Sequence, residues 1–146
     1  MPDQPAPAKR VLIAEDDDSL RRLLELRLRA EQFEIQNAAD GAEAIEIAER
    51  WTPDVVVCDV MMPRMSGLSV CRELREREAT THVPIILLTA RCFDEDIQQV
   101  MALGGIEYIG KPFDFNELIA TVRKLLGEPV NIAPRTIDLS LESTSR

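Results

Sequence analysis

The chain holds a single histidine, His82, and its three cysteines, Cys58, Cys71 and Cys92, form no CxxC pair. No ligand spacing for a zinc site is present. An odd number of cysteines without such spacing is the usage of a reducing compartment, so structural thiols in a cytoplasmic protein are expected. No apolar run approaches the ~20 residues that cross a bilayer. The Pro/Ala-rich start, residues 1–8, lacks the apolar segment of a signal peptide and reads as a disordered tail. Positive charge is short too: the net charge is −9, which disfavours direct binding to nucleic acid or to an anionic membrane.

What is present is an ordinary apolar fraction, 45% of 146 residues, enough for one domain with a core. The apolar residues come in two alternating patterns. Short continuous runs read as buried strands, Val11–Ala14, Val55–Cys58 and Ile85–Leu88; Phe33–Asn37 reads as an alternating strand and Ile106–Ile109 as the fifth strand. Between them apolar residues recur at helical spacing: Leu20, Leu23, Leu24 and Leu28; Ala44, Ile45 and Ala48; Val70, Cys71 and Leu74; Ile97, Val100 and Met101; Leu118, Ile119, Val122, Leu125 and Leu126. Asp40 and Ser66 are candidate N-caps, and Arg72 to Glu78 reads as a charged outer run. Trp51 and the Met61/Met62 pair read as packing, and His82 as a surface residue. Five strand–helix repeats imply an α/β fold, a flavodoxin-like (βα)5 doubly wound parallel sheet of strand order 2-1-3-4-5.

That order puts strands 1 and 3 side by side, where the winding reverses and ligands bind. The strand ends then carry polar groups on one rim: Glu15 and Asp16 after strand 1, Asp59 after strand 3, Thr89 after strand 4 and Lys111 after strand 5. Three clustered carboxylates need a counter-charge, and Mg²⁺, a hard cation with oxygen ligands, supplies one. Lys111 adds a mobile cation suited to an anionic oxygen, and Thr89 a hydroxyl donor. Such a set is equipped for phosphoryl transfer.

The motifs Val-Leu-Ile-Ala-Glu15-Asp16-Asp17, Asp59-Val-Met-Met-Pro63-Arg-Met-Ser-Gly67, Leu-Leu-Thr89-Ala90 and Tyr108-Ile-Gly-Lys111-Pro112-Phe113 stand in one order. Over residues 9–127 the sequence resembles the receiver domain of two-component response regulators. The resemblance implies that Asp59 is the phosphoacceptor, with Mg²⁺ (or Mn²⁺) held by Asp16 directly, Glu15 through water, Asp59 and the Met61 backbone carbonyl. It further implies that Lys111 binds the phosphoryl group, that its bond to Pro112 is cis, and that Thr89 and Tyr108 form the switch. The implied partner is a sensor histidine kinase or a phosphotransfer protein, and the implied readout is the surface of helix 4, strand 5 and helix 5, which could also pair two copies. Such a domain is not an enzyme beyond its own phosphorylation and dephosphorylation. Arg91 and Met61 flank the site and are expected to tune phosphoryl lifetime.

Some features depart from the family pattern. Ile106-Glu107 stands where an acidic pair precedes the switch aromatic, and Thr121 stands where the winged-helix branch carries a basic residue used in its salt-bridged dimer. Other classes fit less well. A phosphohydrolase of the haloacid dehalogenase type carries a second acid two residues after the first, where this chain has Met61, and a flavodoxin needs a Ser/Thr-rich loop where this chain is acidic. A phosphorylation-independent pseudo-receiver, acting as a protein-binding module, is the remaining alternative. Residues 128–146, with a brief alternation Ile137–Leu141, are too few to bury a core. They are expected to be the tail of a stand-alone receiver or a truncated linker to an output domain.

Overall fold

A computed structural model describes residues 7–90 and 94–128 of the chain. Strands and helices alternate throughout: β1 (Arg10–Ala14), α1 (Asp18–Ala30), β2 (Glu34–Ala38), α2 (Gly41–Trp51), β3 (Val55–Asp59), α3 (Gly67–Glu76), β4 (Ile85–Thr89), α4 (Glu95–Met101), β5 (Ile106–Gly110) and α5 (Phe115–Leu125). All pairings are parallel and the strand order is 2-1-3-4-5.

Strand alternation sorts the apolar side chains into two cores. Leu12, Val56, Cys58, Ile85 and Leu87 face the layer of α2, α3 and α4, packing on Ala44, Ala48, Val70, Leu74 and Ile97. Val11, Ile13, Val57, Ile86 and Leu88 face the layer of α1 and α5, packing on Leu24, Leu28, Leu118 and Val122. The two cores explain why β1, β3 and β4 read as unbroken apolar runs, since each residue has a buried side to fill. Each helix starts on a side-chain cap. Asp17, Asp40, Ser66, Asp94 and Asp114 accept hydrogen bonds from the backbone N–H of the second or third residue of α1 to α5.

Three expectations change. Leu23, placed on the inner stripe of α1, is 45% exposed, because only Leu24 and Leu28 point fully at the sheet and Leu20 is half-buried. Met61, taken as packing, is exposed, whereas Met62 is buried; the chain has left β3 by then and strand alternation no longer governs it. β2 runs one residue later than the alternation suggests, pairing Arg10 with Glu34 through Ala14 with Ala38. Trp51 is buried and His82 exposed, as expected. Cys58 and Cys71 are buried free thiols, and burial pushes the Cys71 thiol up to about 12, in keeping with a packing role. Cys92, Arg91 and the Ile137–Leu141 alternation lie outside the described residues.

Candidate functional site

Asp59 is the last residue of β3 and is 3% exposed despite its charge. A buried carboxylate needs partners. Two are in place: the Lys111 Nζ donates to Asp59 Oδ2 at 2.8 Å, and the Met61 N–H donates to Asp59 Oδ1 at 3.2 Å. The loop that follows turns sharply. Arg64 has φ +66° and its guanidinium pairs with Asp40 at 3.1 Å, joining this loop to the start of α2. The Gly67 N–H then bonds the Val60 carbonyl, and a Cβ on Gly67 would lie 2.3 Å from the Asp59 carbonyl oxygen. Only glycine lets α3 begin this close to β3.

Glu15 follows β1 directly and is 1% exposed. Its N–H donates to the Ala38 carbonyl of β2, and its Oε2 accepts from the Asp17 N–H at 3.0 Å. Its Oε1 is buried and accepts no hydrogen bond among the described residues, with the Lys111 Nζ 3.9 Å away. Burial, reinforced by the Asp59 carboxylate, pushes the Glu15 carboxyl up to about 8 against the pull of the Asp17 N–H and the Lys111 cation. Asp16 is exposed beside them. Glu15, Asp16 and Asp59 each offer an oxygen, all within 4.8 Å of one another, a set that could hold a metal ion. The orphaned Glu15 oxygen and the hard donor set fit Mg²⁺.

The rim continues on the other strands. Thr89 ends β4 and is fully buried, and its carbonyl accepts from the Lys111 N–H at 2.8 Å. Lys111 follows β5, and its bond to Pro112 is cis. Tyr108 lies on β5 opposite Leu87, half-buried against the core on the α4 side. The sequence-derived set therefore meets in two groups: Glu15, Asp16, Asp59 and Lys111 converge directly, while Thr89 and Tyr108 lie on the adjoining strands β4 and β5. Arg21 and Gly67 shape the site and were not among the residues singled out. Gly67 closed a motif without an assigned task, and nothing in spacing alone points from Arg21 in α1 back to Glu15.

Fold and site together define the class: a doubly wound α/β protein with an acidic, lysine-bordered pocket at its topological switch point. Residues 11–123 match the response regulator receiver domain, and the chain belongs to that family. It is 40% identical over 116 residues to the response regulator PleD of Caulobacter vibrioides, covering 80% of this chain and 26% of PleD. It is 37% identical over 145 residues to the DNA-binding response regulator MtrA of Mycobacterium bovis, covering 94% of this chain and 62% of MtrA. The chain thus spans less than two thirds of the length of both curated relatives. Among solved structures, the receiver domain of the sensor histidine kinase PA1611 of Pseudomonas aeruginosa, described with a magnesium ion coordinated in its active site cleft, aligns with a TM-score of 0.75 at 31% identity, over 84% of this chain and all of that one. The receiver family is a signalling family of two-component systems, in which receivers pair with histidine kinases. No helix among the described residues is long and apolar enough to cross a membrane.

Proposed function

We propose that the chain is a phosphorylation switch in which Asp59 accepts a phosphoryl group from a histidine kinase or a phosphotransfer protein. The observation that carries this reading is the Asp59 carboxylate, buried at a strand end between Lys111 and two further acids. One Asp59 oxygen attacks the phosphorus of a phosphohistidine. The O–P bond forms as the P–N bond breaks, and the leaving imidazole keeps the electron pair and takes up a proton. Lys111 pairs with Asp59 before transfer and meets the phosphoryl oxygens after it. Glu15, Asp16, Asp59 and the Met61 carbonyl are the groups that would hold Mg²⁺, which when bound neutralises carboxylate and phosphoryl charge together. The site thus works by positioning and charge compensation.

Phosphorylation adds roughly 1.5–2 negative charges beside Thr89. In this reading the Thr89 hydroxyl turns to the phosphoryl group and Tyr108 fills the space it leaves, which alters the face of α4, β5 and α5. That face then acts on an output domain, a partner protein or a second copy of the chain. Residues 9–127 form the switching unit in this reading, in line with the family match over residues 11–123.

Intact mass after incubation with Mg²⁺ and a small-molecule phosphodonor tests the chemistry. The native protein gains one phosphoryl group, and the gain is lost in Asp59→Asn and in chelator. Phosphorylation of Asp59→Asn at the native level would overturn the assignment. A native protein that takes no phosphoryl group either from the phosphodonor or from phosphohistidine proteins would leave the pseudo-receiver reading in its place.

A further inference from the structure

Two of the three clustered acids hang from one peptide, Glu15–Asp16, and an arginine holds that peptide in place. Arg21 lies in the first turns of α1. Its Nη1 donates to the Glu15 carbonyl oxygen at 2.7 Å, and its Nη2 donates to the Asp18 carboxylate. The side chain is mostly buried, at 20% exposure. On the other side of Glu15, its N–H is bonded to the Ala38 carbonyl at 3.0 Å. The backbone around Glu15 is therefore gripped from both flanks, by β2 and by α1. The plane that Arg21 grips has the Glu15 Cα at one end and the Asp16 Cα at the other, so its tilt sets where both carboxylates reach.

We propose that Arg21 is a positioning residue for the acidic site: by fixing the Glu15–Asp16 peptide it presets the two carboxylates for a divalent cation. The inference rests on the metal-dependent reading above and goes beyond it in assigning an ordering role to a residue that touches neither the cation nor Asp59. Charge alone argues the other way. A guanidinium next to an acidic pocket repels a bound cation, so its removal on electrostatic grounds tightens metal binding or leaves it unchanged. Positioning demands the opposite sign, because a loosened peptide must be re-ordered each time the cation binds, and supporting groups of this kind cost roughly 10–100-fold in affinity when lost.

The test is direct titration with Mn²⁺ alone, following the free ion by electron paramagnetic resonance, on the native chain, Arg21→Gln and Asp59→Asn. Arg21→Gln is expected to bind Mn²⁺ roughly tenfold more weakly than native. Affinity equal to native, or tighter, overturns the proposal while leaving the metal site itself standing. A native chain that binds no Mn²⁺ removes the metal-dependent reading and this inference with it. Where Arg21→Gln does not fold, Arg21→Lys carries the same test: it keeps the charge and loses the two-armed fork, so weakened binding supports the proposal and native affinity overturns it.

Discussion

At the scale of single residues, the burial of Glu15 couples its proton to the stability of the fold. Glu15 is buried with one oxygen unpartnered, and its carboxyl is raised to about 8 from an ordinary 4.5. A carboxyl whose folded value is raised stabilises the fold fully below its unfolded value and loses that contribution as pH rises through the folded one. Without metal, the chain should lose stability between about pH 4.5 and 8 by up to about 1.4 kcal/mol per pH unit from this group. Glu15→Gln has no such proton to lose. Urea unfolding in chelator should find the variant and native chain close at pH 5 and the variant more stable at pH 8, and parallel pH profiles would refute the role of burial. The carboxylates and Lys111 were legible in the sequence because strand ends are marked by where an apolar run stops. Arg21 and Gly67 were not. Arg21 acts through a carbonyl six residues back and Gly67 through the space it leaves beside Asp59, and neither relation has a sequence period.

At the scale of elements, the helices differ in how they are fastened. α4 is short and buries only Ile97 and Val100 fully, so its placement leans on its ends. Its C-terminal turn passes through Gly104 and Gly105 at φ +93° and +70°. Arg75 of α3 reaches across and donates to the Gly104 carbonyl at 3.0 Å and the Gly105 carbonyl at 3.1 Å, and the Gly105 carbonyl also receives the Ile85 N–H of β4. The guanidinium thus ties α3 to the turn between α4 and β5. Periodicity placed Arg75 in a charged outer run, because a long side chain can leave its helix face to reach a neighbour's carbonyls. Arg75→Ala should cost about 1–2 kcal/mol, partly offset by water reaching the exposed carbonyls. Faster amide exchange at Gly105 and Ile106 together with a lower urea midpoint would show it; exchange unchanged at both would mean that the turn stands without the clamp. The thin stripe of α4 itself was legible, as were the caps at Asp40 and Ser66, since both rest on local spacing.

At the scale of the whole molecule, two faces of apolar residues on β1, β3 and β4 demand helices on both sides, and right-handed crossovers with one reversal of winding then make 2-1-3-4-5 the common strand order. The same pattern leaves the acidic set at one end of the sheet, with Asp59 closing β3 and Glu15 and Asp16 on the loop that joins β1 to α1. A cation that bridges these acids binds only the folded chain, where Glu15, Asp16 and Asp59 lie within 4.8 Å. Unfolding separates Glu15 and Asp16 from Asp59 and abolishes the site. Metal binding is then linked to global stability, by about 2.7 kcal/mol at a hundred times the dissociation constant. For a domain of this size that is a rise of roughly 10 °C in Tm. Thermal unfolding followed by circular dichroism should show Tm climbing with the logarithm of Mg²⁺ concentration in the native chain, and only weakly in Asp16→Ala. An equal climb in both would locate the stabilising ion elsewhere, whereas a flat native curve would mean that the three carboxylates do not act as one site.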